Sequence, residues 1–179
     1  MILISRNFEI LKKRLILIGI GLFTLFSSAA TNLKVVATNS ILYDITQHIC
    51  GDNYELISLI PVGGDPHLYD PIPSDVEAIA KADIVIKNGL HLEGWLNKLI
   101  DNAGTNALII EASEDIKAIQ SIDHANSYDP HAWMNITNGK IYARNICNAF
   151  VEINPDHEAY YINNLSAYLE QLDVLDDYI

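Results

Sequence analysis

One tripeptide occurs twice in this chain, as Asp65-Pro66-His67 and Asp129-Pro130-His131, each followed by an apolar residue and an aromatic one, Leu68-Tyr69 and Ala132-Trp133. With 14 Asp, 6 Pro and 6 His in 179 residues, independent placement gives about 0.016 copies, so the repeat points to a shared task. Proline restricts the backbone just before each imidazole. Neutral imidazole is the commonest protein ligand for metals, and two of them with carboxylates suit zinc, manganese or iron(II). His67 and His131 are therefore the expected metal ligands. Asp65 and Asp129 read equally well as groups that hold a ring N–H or loop backbone and as simple turn formers before proline.

The other histidines, His48, His91, His124 and His157, read as surface or capping residues. Trp95, Trp133, Tyr161 and Tyr168 read as core or interface residues. No Glu stands in an HExxH relation to either candidate ligand, and neither a phosphate-cradling glycine loop nor a nucleophile triad is evident, so the chain reads as a non-enzyme. Two cysteines, Cys50 and Cys147, are too few for a disulfide framework and too distant for a CxxC site. They read as buried helical residues that could bridge only if their helices lie side by side. A net charge of -12 argues against nucleic acid as a partner, because phosphate binding draws on Lys and Arg.

The elements that must position the two loops follow from periodicity. Residues 33–38 form a strand, and Asn39 or Ser40 caps a helix that Gly51 stops. Residues 54–60 run apolar into a segment, 61–67, whose Pro and Gly content forbids regular structure. Ser74 and Glu77 fit a capping box for a helix over 75–82. Ile84-Val85-Ile86 is a buried strand turned by Asn88-Gly89, Leu92, Trp95, Leu96 and Leu99 follow helical spacing, and 107–110 is a fourth strand. A polar irregular stretch over 112–128 precedes a helix over 137–153, and Pro155 opens another. Tyr161, Leu165, Tyr168, Leu169, Leu172 and Leu175 form a stripe on that last helix which something should cover. Strands alternating with helices predict an α/β fold with a parallel sheet of about four strands covered on both faces. Each Asp-Pro-His loop then opens where such sheets bind ligands, at the carboxyl edge.

Arg6, Lys12, Lys13 and Arg14 precede an apolar or small run from Leu15 to Phe26 and then Ser27-Ser28-Ala29-Ala30. This pattern predicts a cleavable signal peptide over 1–30 and a soluble periplasmic product, with no cysteine at the cleavage region for lipid attachment. Without that segment the chain retains 7 Lys+Arg against 22 Asp+Glu.

The stretches Val35-Val36-Ala37-Thr38-Asn39-Ser40-Ile41, Ile60 to Pro71, Pro73-Ser74-Asp75-Val76, Asn88-Gly89-Leu90-His91-Leu92-Glu93 and Asp129 to Met134 together resemble the TroA-like or ZnuA-like family of periplasmic metal-binding proteins. These serve ABC importers for zinc, manganese or iron. The resemblance covers residues 33–179. It implies two α/β lobes joined by a long helix, with metal held between them and passed to a membrane permease, and it carries direct ligation onto His67 and His131. It places 31–153 in the first lobe and 154–179 on the linking helix, and implies that the second lobe and its ligands, a Glu or His and an Asp, are absent. The uncovered stripe is then the seat of that lobe. The family's His-rich zinc loop has only His124 as a counterpart here, which leans to manganese or iron, although zinc has the higher intrinsic affinity. Alternatives are a fragment or interaction protein of the adhesin kind, acting through self-association or a separate second lobe, and, more remotely, a zinc-dependent hydrolase.

Overall fold

The computed structural model describes residues 33–52, 54–122 and 127–179; the export-signal reading of 1–30 and His124 lie outside them. Strands β1 (Lys34–Ala37), β2 (Glu55–Ser58), β3 (Ile84–Lys87) and β4 (Leu108–Glu111) form one parallel sheet in the order β2-β1-β3-β4. Helices α1 (Ser40–Cys50), α2 (Pro73–Ala80), α3 (Leu96–Ala103), α4 (Ile136–Ile153) and α5 (Glu158–Tyr178) cover it. The register pairs Val36 with Ile57 on one side and with Val85 on the other.

Because successive strand residues face opposite ways, the two central strands feed two cores. Val35, Ala37, Ile84 and Ile86 pack with Leu42, Ile45 and Ile49 of α1 and with Tyr142, Ile146 and Phe150 of α4. Val36 and Val85 pack instead with Ile79 of α2 and with Leu96 and Leu99 of α3. Continuous apolar runs in β1 and β3 are the signature of strands buried on both faces, and the expected sheet is the one found.

Local signals set most boundaries. Asn39 Oδ1 accepts the N–H groups of Ile41 (3.1 Å) and Leu42 (3.0 Å), and Gly51 at φ 67° ends α1. The capping box of α2 differs from expectation. Ser74 is not its cap; Pro73 occupies the first turn and the Asp75 carboxylate accepts the N–H of Ile72 at 2.8 Å. A proline at N1 needs no amide partner, which moves the helix start ahead of Ser74.

The last helix also corrects the sequence reading. Pro155–His157 form a 3₁₀ turn, and α5 starts at Glu158. Much of its apolar stripe is already covered: Tyr161 is fully buried, and Leu165 and Tyr168 pack on the core of α1 and α4. Asn164 Nδ2 donates to the Ile49 carbonyl at 2.9 Å, and Lys140 of α4 reaches Asp173 at 2.6 Å. Of the stripe, Leu175 is exposed; its neighbours Val174, Tyr178 and Ile179 at the far end are exposed too, as are Tyr160 and Ile162 near the start of the helix. Among the described residues no helix is long and apolar enough to cross a membrane.

Both cysteines are free and buried, in α1 and α4. Burial pushes the Cys50 thiol up to about 12 and raises that of Cys147, so neither is poised as a nucleophile.

Candidate metal centre

The strand order reverses direction between β1 and β3, the kind of switch point at which open α/β sheets bind ligands. The first Asp-Pro-His loop follows β2 and the second follows β4, the two outer strands. They meet at their imidazoles: His67 Nε2 lies 3.2 Å from His131 Nε2. Together with Asn39, Ser40, Pro61 and Trp133, both rings line a cavity of about 340 Å³.

Each aspartate closes the same local turn. Asp65 Oδ1 accepts the His67 N–H at 2.8 Å, and Asp129 Oδ1 accepts the His131 N–H at 2.9 Å. Asp129 does more, for its Oδ1 also lies 2.7 Å from His131 Nδ1. The backbone N–H of His131, followed by its ring, holds the Asp129 carboxyl below its ordinary range. A carboxylate only accepts, so Nδ1 carries the hydrogen, and in the neutral form of the ring the lone pair is then on Nε2, the atom that faces His67. Both sequence readings of Asp129 hold, whereas Asp65 serves the turn.

The nitrogen spacing suits a shared ion. Two nitrogens each about 2.05 Å from one metal, about 109° apart, lie about 3.3 Å from each other, and a right-angled pair about 2.9 Å. A spacing of 3.2 Å accommodates either and selects no particular metal. Among the described residues no group of three or more His, Cys, Asp and Glu is arranged to hold a metal, so the histidine pair is the candidate ligand set.

The other described histidines stay apart. His48 Nδ1 bonds the Asp44 carbonyl at 2.9 Å and its ring packs on Tyr168, His91 is exposed, and His157 precedes α5 with Nδ1 3.2 Å from Asn154 Oδ1.

Four residues near the site were not assigned a part in it from sequence. Trp95 Nε1 donates to the Pro66 carbonyl (3.0 Å) and Asn88 Nδ2 to the Pro130 carbonyl (3.0 Å). Beneath them, the buried Glu93 carboxylate accepts the Thr38 hydroxyl at 2.6 Å and the N–H of Asn88 at 2.7 Å. Desolvation raises the Glu93 pKa against the lowering effect of those donors. The available signal was a Glu and an Asn at the ends of apolar runs, where buried polar groups require partners.

Residues 35–179 match the family described as zinc-uptake complex component A, periplasmic. The chain belongs to this family. It is 43% identical over 157 residues to the manganese ABC transporter substrate-binding lipoprotein scaA of Streptococcus gordonii, covering 83% of this chain and 51% of that protein. The Mn-bound periplasmic metal binding protein from candidatus liberibacter asiaticus superimposes with a TM-score of 0.71 at 36% identity, over 76% of this chain and 52% of that one. Zn(II)-bound AdcA from Streptococcus pneumoniae gives a TM-score of 0.74 at 28% identity, over 82% and 32%. The chain thus spans about half the length of the curated relatives it matches. Its family consists of substrate-binding components of metal ABC transporters, which are not enzymes.

Proposed function

We propose that this chain binds a divalent metal ion through His67 and His131 and that the ion is cargo, delivered to the membrane permease of an ABC importer. The observation that carries this reading is the convergence of two Nε2 atoms, 3.2 Å apart, from two loops of identical tripeptide sequence. Manganese, zinc and cadmium are named for the relatives. The lone pair that Asp129 directs to His131 Nε2 suits any of manganese, iron(II) and zinc. On this reading export places the site outside the cytoplasmic membrane, where such importers collect their substrate. The first lobe, 31–153, contributes both of these ligands, and the rest of the shell comes from water, a second lobe or another copy.

Isothermal titration with manganese and with zinc tests the reading. The chain binds one ion, and His67→Ala and His131→Ala each abolish or greatly weaken binding while His157→Ala does not. Equal effects of all three substitutions, or none from the first two, refute it.

A further inference from the structure

We propose that the segment joining β3 to α3, residues 88–95, is a brace that sets the distance between the two ligand nitrogens, with Asn88 and Trp95 as its positioning residues. This rests on the metal-ligand reading of His67 and His131. Each brace residue bonds the carbonyl of the proline directly before one histidine, Trp95 to Pro66 and Asn88 to Pro130, both at 3.0 Å. A proline carbonyl held in place orients the peptide plane that leads into the histidine, because proline already restricts its own φ. The two loops arise from opposite edges of the sheet, and one short segment reaches both.

The brace is itself anchored more firmly than a connection requires. Asn88 is fully buried and its amide is fully engaged: Nδ2 donates to the carbonyls of Gly89 and Pro130, and Oδ1 accepts the Tyr142 hydroxyl at 2.6 Å. Glu93 accepts from Thr38 just beyond β1, and from the N–H groups of Asn88 and Gly89 just beyond β3. The segment is thereby fastened to both central strands. Between these fixed points the backbone runs left-handed through Gly89, Leu90 and His91, at φ 86°, 52° and 64°. Of these, Leu90 is a residue type that rarely enters that region, whereas histidine does so more readily, and such conformations persist where the surroundings over-determine them, often at functional sites.

A purely structural segment would affect stability alone, which fixes the test. Trp95→Phe keeps the ring on Tyr69 but removes the donor to Pro66; Asn88→Asp keeps the acceptor for Tyr142 but removes the donor to Pro130. Zn²⁺ affinity is measured by chelator competition at a temperature where circular dichroism shows each variant folded, beside the visible spectrum of the Co²⁺-loaded chain. Each variant is expected to bind Zn²⁺ about tenfold more weakly, within the range found when supporting groups of a metal site are removed, with altered Co²⁺ bands. Should Asn88→Asp not fold, Tyr142→Phe loosens the same amide, and a smaller loss in the same direction is expected. Unchanged affinity and spectrum in folded variants overturn the brace, whatever their melting temperatures. If His67→Ala and His131→Ala abolish binding while the brace variants bind like the parent, the brace alone fails; if those two also bind like the parent, the ligand reading fails with it.

Discussion

The two Asp-Pro-His loops share a sequence and a turn but not a degree of constraint. In both, Asp Oδ1 caps the histidine N–H and the proline carbonyl is bonded from outside. In the second loop the aspartate also holds the imidazole, Trp133 packs edge-on against it with centroids 5.3 Å apart, and the chain passes through a 3₁₀ turn, Ala132–Met134, into the capped start of α4. The first loop has Tyr69 at the matching position, and Tyr69 turns away to Trp95, the Leu59 carbonyl and Asp75. Burial and then Asp75 push its hydroxyl up to about 12, so it acts as a fixed donor. The same tripeptide therefore produces one imidazole set in tautomer and direction and one set mainly by its backbone. On the proposed ligation by His67 and His131, a firm imidazole facing an adaptable one is an arrangement that can accept ions of differing bond length.

The sharpest way to break this comparison is to remove the aspartates in turn. Asp129→Ala removes a turn and a ring partner and is expected to weaken metal binding 10- to 100-fold, the range for lost histidine partners; Asp65→Ala removes only the turn and should cost less. Equal losses by calorimetry would mean that the ring contact of Asp129 contributes nothing. Next, Gly89→Ala places a side chain at φ 86° against the Glu111 side chain, itself 2.8 Å from Lys87. It is expected to cost about 1–2 kcal/mol in urea unfolding, and because Asn88 bonds the Gly89 carbonyl it should disturb His131 before His67 in imidazole NMR spectra.

The smallest effect concerns Glu93, beneath the brace. Its folded pKa is raised by burial, so between the ordinary carboxylate value and that raised value the folded state binds the proton and the unfolded state does not. Stability then falls as pH rises through this window. The stability difference between the parent and Glu93→Gln should shift toward the parent as pH drops through it; no pH dependence of that difference would mean that the three donors offset burial.

Much of this is legible in the sequence. Apolar runs at β1, β3 and β4, the Asn39 and Gly51 signals around α1 and the duplicated tripeptide specified the sheet, a helix and the histidine pair. Less legible was whatever depends on residues distant in the chain. The stripe on α5 was read as awaiting a cover because periodicity reveals an apolar face but not its partner, and α1 and α4 supply that partner for Tyr161, Leu165 and Tyr168. Asn88 read as a turn residue and Trp95 as a core residue, and each is partly so; their bonds to Pro130 and Pro66 span 42 and 29 positions, beyond any local pattern.

The placement of the tryptophans has a practical consequence. The chain contains two, and both border the histidines, Trp95 through the Pro66 carbonyl and Trp133 through the edge of His131. Indole emission from this protein is therefore a local gauge of the two Asp-Pro-His loops, whereas the nine tyrosines are spread along the chain, Tyr69 of the first loop among them. Fluorescence excited selectively at the indoles will follow opening of the loops even where the sheet stays intact, and a divergence between that signal and far-ultraviolet dichroism during unfolding will separate loss of the binding geometry from loss of the fold.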